Sequence, residues 1–201
     1  LVSFAFESGE ESSFTISGGG SILAPNATSW NGVAFTFSGT STISTSQIQV
    51  LTFGNITTNG VSPNFANVTN LNNTLLTATG GGHLVFPGVT TYDSRSRHHD
   101  YNWTLMNADG AGSIIDLPNL VTMTLVPDVS ASCCSDNNWQ KLRAANGGLL
   151  DLSSVTSAPV PPYRDDYLLI EAASGGTVDL SSLPTLGTGE VRITATGGTV
   201  N

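Results

Sequence analysis

Positive charge is what this chain of 201 residues has least of. Lys and Arg together number six, and Lys141 is the one lysine. Charged residues make up 10% of the chain, against roughly 25% in an ordinary soluble domain. The formal net charge is −9 and the pI about 4.4. A polyphosphate partner needs a basic surface, so nucleic acid is disfavoured as a ligand. Convincing 3.6-residue periodicity is missing, which disfavours a helical bundle. No run approaches the roughly 20 apolar residues of a membrane-spanning helix, so no span is expected. Cysteine is confined to the adjacent pair Cys133 and Cys134. Neighbouring Cα atoms lie about 3.8 Å apart across a trans peptide, closer than an ordinary disulfide prefers. A strained vicinal disulfide, thiols bridging to another chain and two plain thiols all stay open. Leu1 is preceded by no Met, and no basic n-region or apolar signal core follows. The expectation is a mature product or an excised fragment.

What is abundant is small and polar: 24 Ser, 25 Thr, 22 Gly and 16 Asn. Asn-x-Ser/Thr sequons fall at Asn26, Asn55, Asn67, Asn72 and Asn102. Chance alone gives about four at these frequencies, so they permit N-glycosylation in a suitable host without requiring it.

A repeat organises the chain. Gly19-Gly20-Ser21-Ile22-Leu23-Ala24-Pro25 lines up with Gly81-Gly82-His83-Leu84-Val85-Phe86-Pro87 and with Gly112-Ser113-Ile114-Ile115-Asp116-Leu117-Pro118. Gly147-Gly148-Leu149-Leu150-Asp151-Leu152-Ser153 and Gly175-Gly176-Thr177-Val178-Asp179-Leu180-Ser181 follow, then the shorter Gly197-Gly198-Thr199-Val200-Asn201. Short alternating strands precede the glycines, as in Phe14–Ile16, Leu75–Ala78, Leu142–Ala144, Leu168–Ala172 and Val191–Thr194. The second motif positions are spaced by 62, 31, 35, 28 and 22 residues. The first interval therefore hides two or three degraded units, Phe35–Thr40 among them.

A unit with two short strands and no helix cannot bury its own apolar face, but stacked units can. Units that all run the same way pair in parallel. Parallel strands ordinarily need helical crossovers. A chain that winds round and returns one rung higher, about 4.8 Å on, avoids that need. The expectation is an all-β right-handed parallel β-helix, a solenoid of about 7–8 coils with long loops on one side. Residues 1–201 form a single domain, with degenerate coils in 1–74 and clear repeats in 75–201. A β-sandwich would also show many short strands, but not one motif recurring in phase.

The pattern Gly175–Leu183, behind the strand Ile170-Glu171-Ala172, resembles the right-handed parallel β-helix repeats of large bacterial surface proteins and adhesins. The Ser/Thr/Gly/Asn-rich, Lys-poor composition likewise resembles that of bacterial and algal surface proteins. The resemblance covers nearly the whole chain and implies a secreted or cell-surface location. It is almost silent about activity, since such solenoids serve as stalks, adhesins, tailspikes, lyases and hydrolases.

The motif Asp recurs at Asp116, Asp151 and Asp179. A column of carboxylates could bind divalent cations. Yet Val85 and Ala24 occupy the same position in other copies, so a turn-forming Asp is the favoured reading. No metal or cofactor is expected. Three excursions leave the repeat at one phase: Thr90–Asn102, Val126–Gln140 and Ser157–Tyr167. Stacked on one side, they present Tyr92, Asp93, Arg95, His98, His99, Asp100, Tyr101, Trp139, Tyr163, Arg164, Asp165 and Asp166. Rings that stack on sugars, beside groups that hydrogen-bond hydroxyls, suit a glycan-binding face.

The alternative is a β-helix polysaccharide lyase or glycoside hydrolase using Asp100, Asp165 or Asp166 with His98 or His99. Polygalacturonase-type hydrolases carry Asn-Thr-Asp, Asp-Asp, Gly-His-Gly and Arg-Ile-Lys motifs. Here only Asp165-Asp166 matches, and Gly82-His83-Leu84 departs. A pectate-lyase-like site needs a basic residue for proton abstraction beside calcium-binding carboxylates, and Arg143 and Arg192 lie on strands without that neighbourhood. Flat threonine arrays on solenoids can bind ice, but Thr40, Thr42 and Thr45, or Thr194 and Thr196, keep no register between units. The chain stops in mid-motif at Asn201 with no visible cap. The reading is an extracellular structural or adhesive solenoid, a stalk, adhesin segment or fibre subunit. Its partners are its own kind or neighbouring repeats end to end, and glycans or cell-surface polymers.

Overall fold

The computed structural model describes residues 3–4, 12–40, 42–43, 47–94, 102–125, 138–160 and 167–201. Among them the protein is almost wholly β, with no α-helix. The first eight strands are β1 (Ser3–Phe4), β2 (Ser12–Ile16), β3 (Ser21–Ile22), β4 (Ser29–Asn31), β5 (Val33–Ser38), β6 (Thr42–Ile43), β7 (Val50–Thr52) and β8 (Asn55–Asn59). Then come β9 (Leu75–Thr79), β10 (His83–Val85), β11 (Thr91–Asp93), β12 (Trp103–Asp109), β13 (Ile114–Asp116) and β14 (Thr122–Thr124). The rest are β15 (Trp139–Ala145), β16 (Leu149–Asp151), β17 (Tyr167–Ala173), β18 (Thr177–Asp179), β19 (Glu190–Thr196) and β20 (Thr199–Val200).

Every pairing between these strands is parallel. A long sheet takes β2, β5, β8, β9, β12, β15, β17 and β19 in order. A motif sheet takes β10, β13, β16, β18 and β20. Smaller sheets hold β3–β6, β1–β4–β7 and β11–β14. Between β9 and β12 the chain passes through β10 and then β11, and between β12 and β15 through β13 and β14. The crossover that parallel pairing needs is thus made of strands. The long interval between Gly20 and Gly82 holds β5 and β8, two further strands of the long sheet.

The glycine pair divides its work. The first member is left-handed, as at Gly175 with φ +80°, a conformation in which a Cβ is strained. The second lies so close to the neighbouring strand that a Cβ at Gly176 would collide with the Ala144 backbone. In the copy with Ser113 at this second position, the buried hydroxyl donates to Asp109 O at 2.9 Å and accepts from Gly81 N at 3.0 Å.

Alternation in the long sheet sends one set of residues inward. Phe35, Ile56, Leu76, Met106, Leu142 and Ile170 are successive register partners and all buried. Each such side chain contributes roughly 1.5–3 kcal/mol on burial. The degenerate half fills its core with rings: Phe14 stacks on Phe35 at 5.7 Å, and Phe35 on Phe37 at 5.9 Å.

The outward column corrects the expectation about threonine. Thr15, Thr36, Thr57 and Thr77 are register partners on four consecutive strands. None of these four is among the positions that the sequence singled out, of which Thr194 lies further along the same column. The same column continues as Asn107, Arg143, Glu171 and Thr194.

Candidate functional site: the loop-bearing corner

The excursions share a corner. β11 and β14 are in register, as are β12, β15 and β17, so the chain leaves and re-enters at stacked positions. The tips lie outside the described residues. Arg95, His98, His99, Asp100, Tyr101, Cys133, Cys134, Tyr163, Arg164, Asp165 and Asp166 all fall there. Tyr92, Asp93 and Trp139 are described.

Tyr92 is corrected. It lies in β11, 1% exposed, and its hydroxyl donates to Thr74 O at 2.9 Å. Its register partner Met123 is also buried. β11 therefore runs through Asp93, past the Thr90 at which the sequence reading began the excursion, and Tyr92 cannot stack on a sugar. Asp93 points the other way and is half-buried, its backbone N donating to Asn72 Oδ1 at 2.9 Å.

A buried polar clamp holds the corner. Ser94 Oγ donates to Gln140 Oε1 at 2.7 Å, and Gln140 Nε2 donates to Ser94 O at 3.2 Å. Both side chains are buried, where an unmet polar group is costly. The clamp ties the chain before the first excursion to the chain after the second. Trp139 N also donates to Asn102 Oδ1 at 3.0 Å.

Outward from the re-entry points, Trp139 and Tyr167 are register partners. Lys141 Nζ lies 4.4 Å from the Trp139 ring centroid, and the Arg192 guanidinium 3.6 Å from that of Tyr167. Arg143 donates to Asp109 at 2.7 Å, Glu171 at 2.9 Å and Asn107 at 2.7 Å. Lys141 pairs with Glu171 at 3.1 Å, and Arg192 with Glu190 at 2.6 Å. All the lysine and arginine of the described residues sits on this face. The hydrogen bond from Arg143, then that from Asn146, holds the Asp109 carboxyl below its usual range. Burial pushes Glu171 up, but bonds from Lys141 and Arg143 outweigh it and leave it lowered. Cross-strand register thus gives Arg143 carboxylate neighbours that lie far from it along the sequence. Its bond to Asp109 raises its own pKa, which keeps it charged and unsuited to abstract a proton.

A polar ladder flanks the corner on its other side. Asn31 and Thr52 are register partners, as are Asp93 and Thr124. Asn72 lies between the two pairs, through Phe53 N to Asn72 O at 3.1 Å and Asp93 N to Asn72 Oδ1. The motif aspartates form a separate column, Asp116, Asp151 and Asp179 in register. Asp151 and Asp179 each accept the backbone N–H two residues on, from Ser153 and Ser181, at 3.0 Å. This is the turn role. Pro118 denies Asp116 that donor, and burial first, then the Asp151 charge, raises its pKa. No group of three or more His, Cys, Asp or Glu could hold a metal among the described residues. Of the sequons, Asn26, Asn67 and Asn102 are exposed, whereas Asn55 and Asn72 are half-buried.

Sequence reasoning missed the Ser94–Gln140 clamp and the charged cluster, whose members lie 28–46 residues apart. One signal was present for Tyr92: Thr91-Tyr92-Asp93 precedes Thr122-Met123-Thr124 by 31 residues, the spacing of the adjacent motif copies. No helix among the described residues is long and apolar enough to cross a membrane. The chain matches no family model, no curated protein and no solved structure.

Proposed function

We propose that this chain is a stretch of right-handed parallel β-helix, secreted or at a cell surface, with a structural and adhesive role. It stacks end to end with its own kind or with neighbouring repeats. Its loop-bearing corner engages glycans, with Trp139 and Tyr167 as the described aromatic groups. The observation that carries the reading is the core-facing side of β19. Val191, Ile193 and Ala195 continue the buried columns of β17, and Ile193 is 54% exposed. An apolar row of this kind, backed by a parallel edge, is a template for one more layer. Such a contact is heterologous and propagates into a fibre.

Electron microscopy of the native material, with intact mass from the same sample, tests this. Unbranched fibres or rods are the expected result. A chain that stays a discrete monomer at high concentration overturns the structural reading and turns attention to polysaccharide cleavage.

A further inference from the structure

Phe53 sits where neither its backbone nor its burial favours phenylalanine. Its φ is +58° and its side chain is 40% exposed. The corner column that it belongs to requires this left-handed turn. Gly32 (φ +67°) precedes it and Asn73 (φ +59°) follows it, each donating its N–H to the next layer as Phe53 does. Glycine and asparagine tolerate that conformation, whereas a bulky side chain is strained in it. A strained residue that is also exposed points to a use outside the fold.

The surroundings indicate the use. Phe53 follows Thr52 and bonds to the Asn72 backbone, so it stands beside the outward ladder Asn31, Thr52, Asn72 and Asp93. That ladder offers amide, hydroxyl and carboxylate groups at a repeat of about 4.8 Å. Lys141, Arg143 and Arg192 all lie on the long sheet instead, on β15 and β19. With no cation of the described residues here and a net charge of −9, a polyanion is repelled.

We propose that Phe53 and this ladder form a subsite for a neutral polysaccharide. The ring stacks on a sugar face, and the ladder groups hydrogen-bond the hydroxyls. The inference rests on the glycan-binding reading above and places a second contact, on the body of the protein, outside the excursions.

The test uses the full chain from a bacterial host, free of N-glycans, passed over insoluble cellulose and insoluble mannan. Retention of the wild type is expected. F53N should weaken retention by about tenfold, the size of one lost stacking contact, while raising the melting temperature. F53G should do the same to retention. L23N, which removes an exposed apolar side chain outside both contacts, should remain bound to these supports. An F53N protein that binds as well as wild type overturns the proposal, as does one that melts lower, since the ring would then be structural. Wild type that ignores both supports but binds a charged glycan on an array overturns this subsite and leaves the adhesive reading standing. Wild type that binds no glycan removes both.

Discussion

Ile193 stands beside Ile170 in the parallel ladder of β17 and β19, yet Ile170 is 0% exposed and Ile193 54%. The two have the same side chain, the same register and the same orientation. Only the presence of a next layer differs. Ile193→Lys should therefore leave the melting transition within about 0.5 kcal/mol of wild type while abolishing association in light scattering. Ile170→Lys should fail to fold, because it places a charge in the core. An Ile193→Lys protein that still assembles would remove β19 from the contact.

Tyr92 is a core residue with a polar handle. Tyr92→Phe should cost about 1 kcal/mol, the net worth of its bond to Thr74. Tyr92→Ala should cost about 3–5 kcal/mol through the cavity it leaves. Urea titration measures both. Glycan retention per folded molecule should be unchanged by Tyr92→Phe, and a selective loss of binding would return Tyr92 to the surface site.

Arg143 holds Asp109, Glu171 and Asn107 together across three strands of the long sheet. Arg143→Ala should destabilise by about 1–2 kcal/mol at low salt, and less at high salt where the pairs are screened. Asp109 and Glu171 have lowered pKa values in the folded state. Their contribution is therefore present above the ordinary carboxylate range and is lost as pH falls through the lowered values. Stability against pH should fall less steeply on the acid side in the variant than in wild type. Parallel acid limbs would mean that the cluster contributes nothing.

Asp116 has the opposite sign. Its folded pKa is raised, so the native state binds that proton more tightly than the unfolded chain. The group costs stability at neutral pH, and the cost disappears as pH falls through the raised value. Asp116→Asn should stabilise near neutral pH and make no difference in acid. Chemical denaturation at the two extremes checks this, and a loss of stability at neutral pH would mean that the carboxylate has a bonding role.

The strands and their phase were legible because both are local. Alternation within Leu168–Ala172 and the glycine pair after it state a strand and a corner without help from the rest of the chain. The turn role of Asp151 and Asp179 is equally local, since the partner is two residues away. Phe53 was not legible, because its strain depends on a corner whose conformation the neighbouring layers impose. Nor was the outward threonine column Thr15, Thr36, Thr57 and Thr77, which appears only once β5 and β8 are placed between motif copies that the sequence leaves degenerate.

Periodicity and the spacing of glycines by themselves determined that this protein is all-β, with parallel strands and an apolar face on each repeat. A pattern of that kind encodes which way each side chain faces along one strand. It does not encode which residue of the next strand lies opposite. The tertiary structure alone decided that Tyr92 faces the core, that Arg143 meets two carboxylates and that Ser94 is clamped to Gln140. Each of these depends on register between segments 18–46 residues apart, and register is set by the packing of the whole stack.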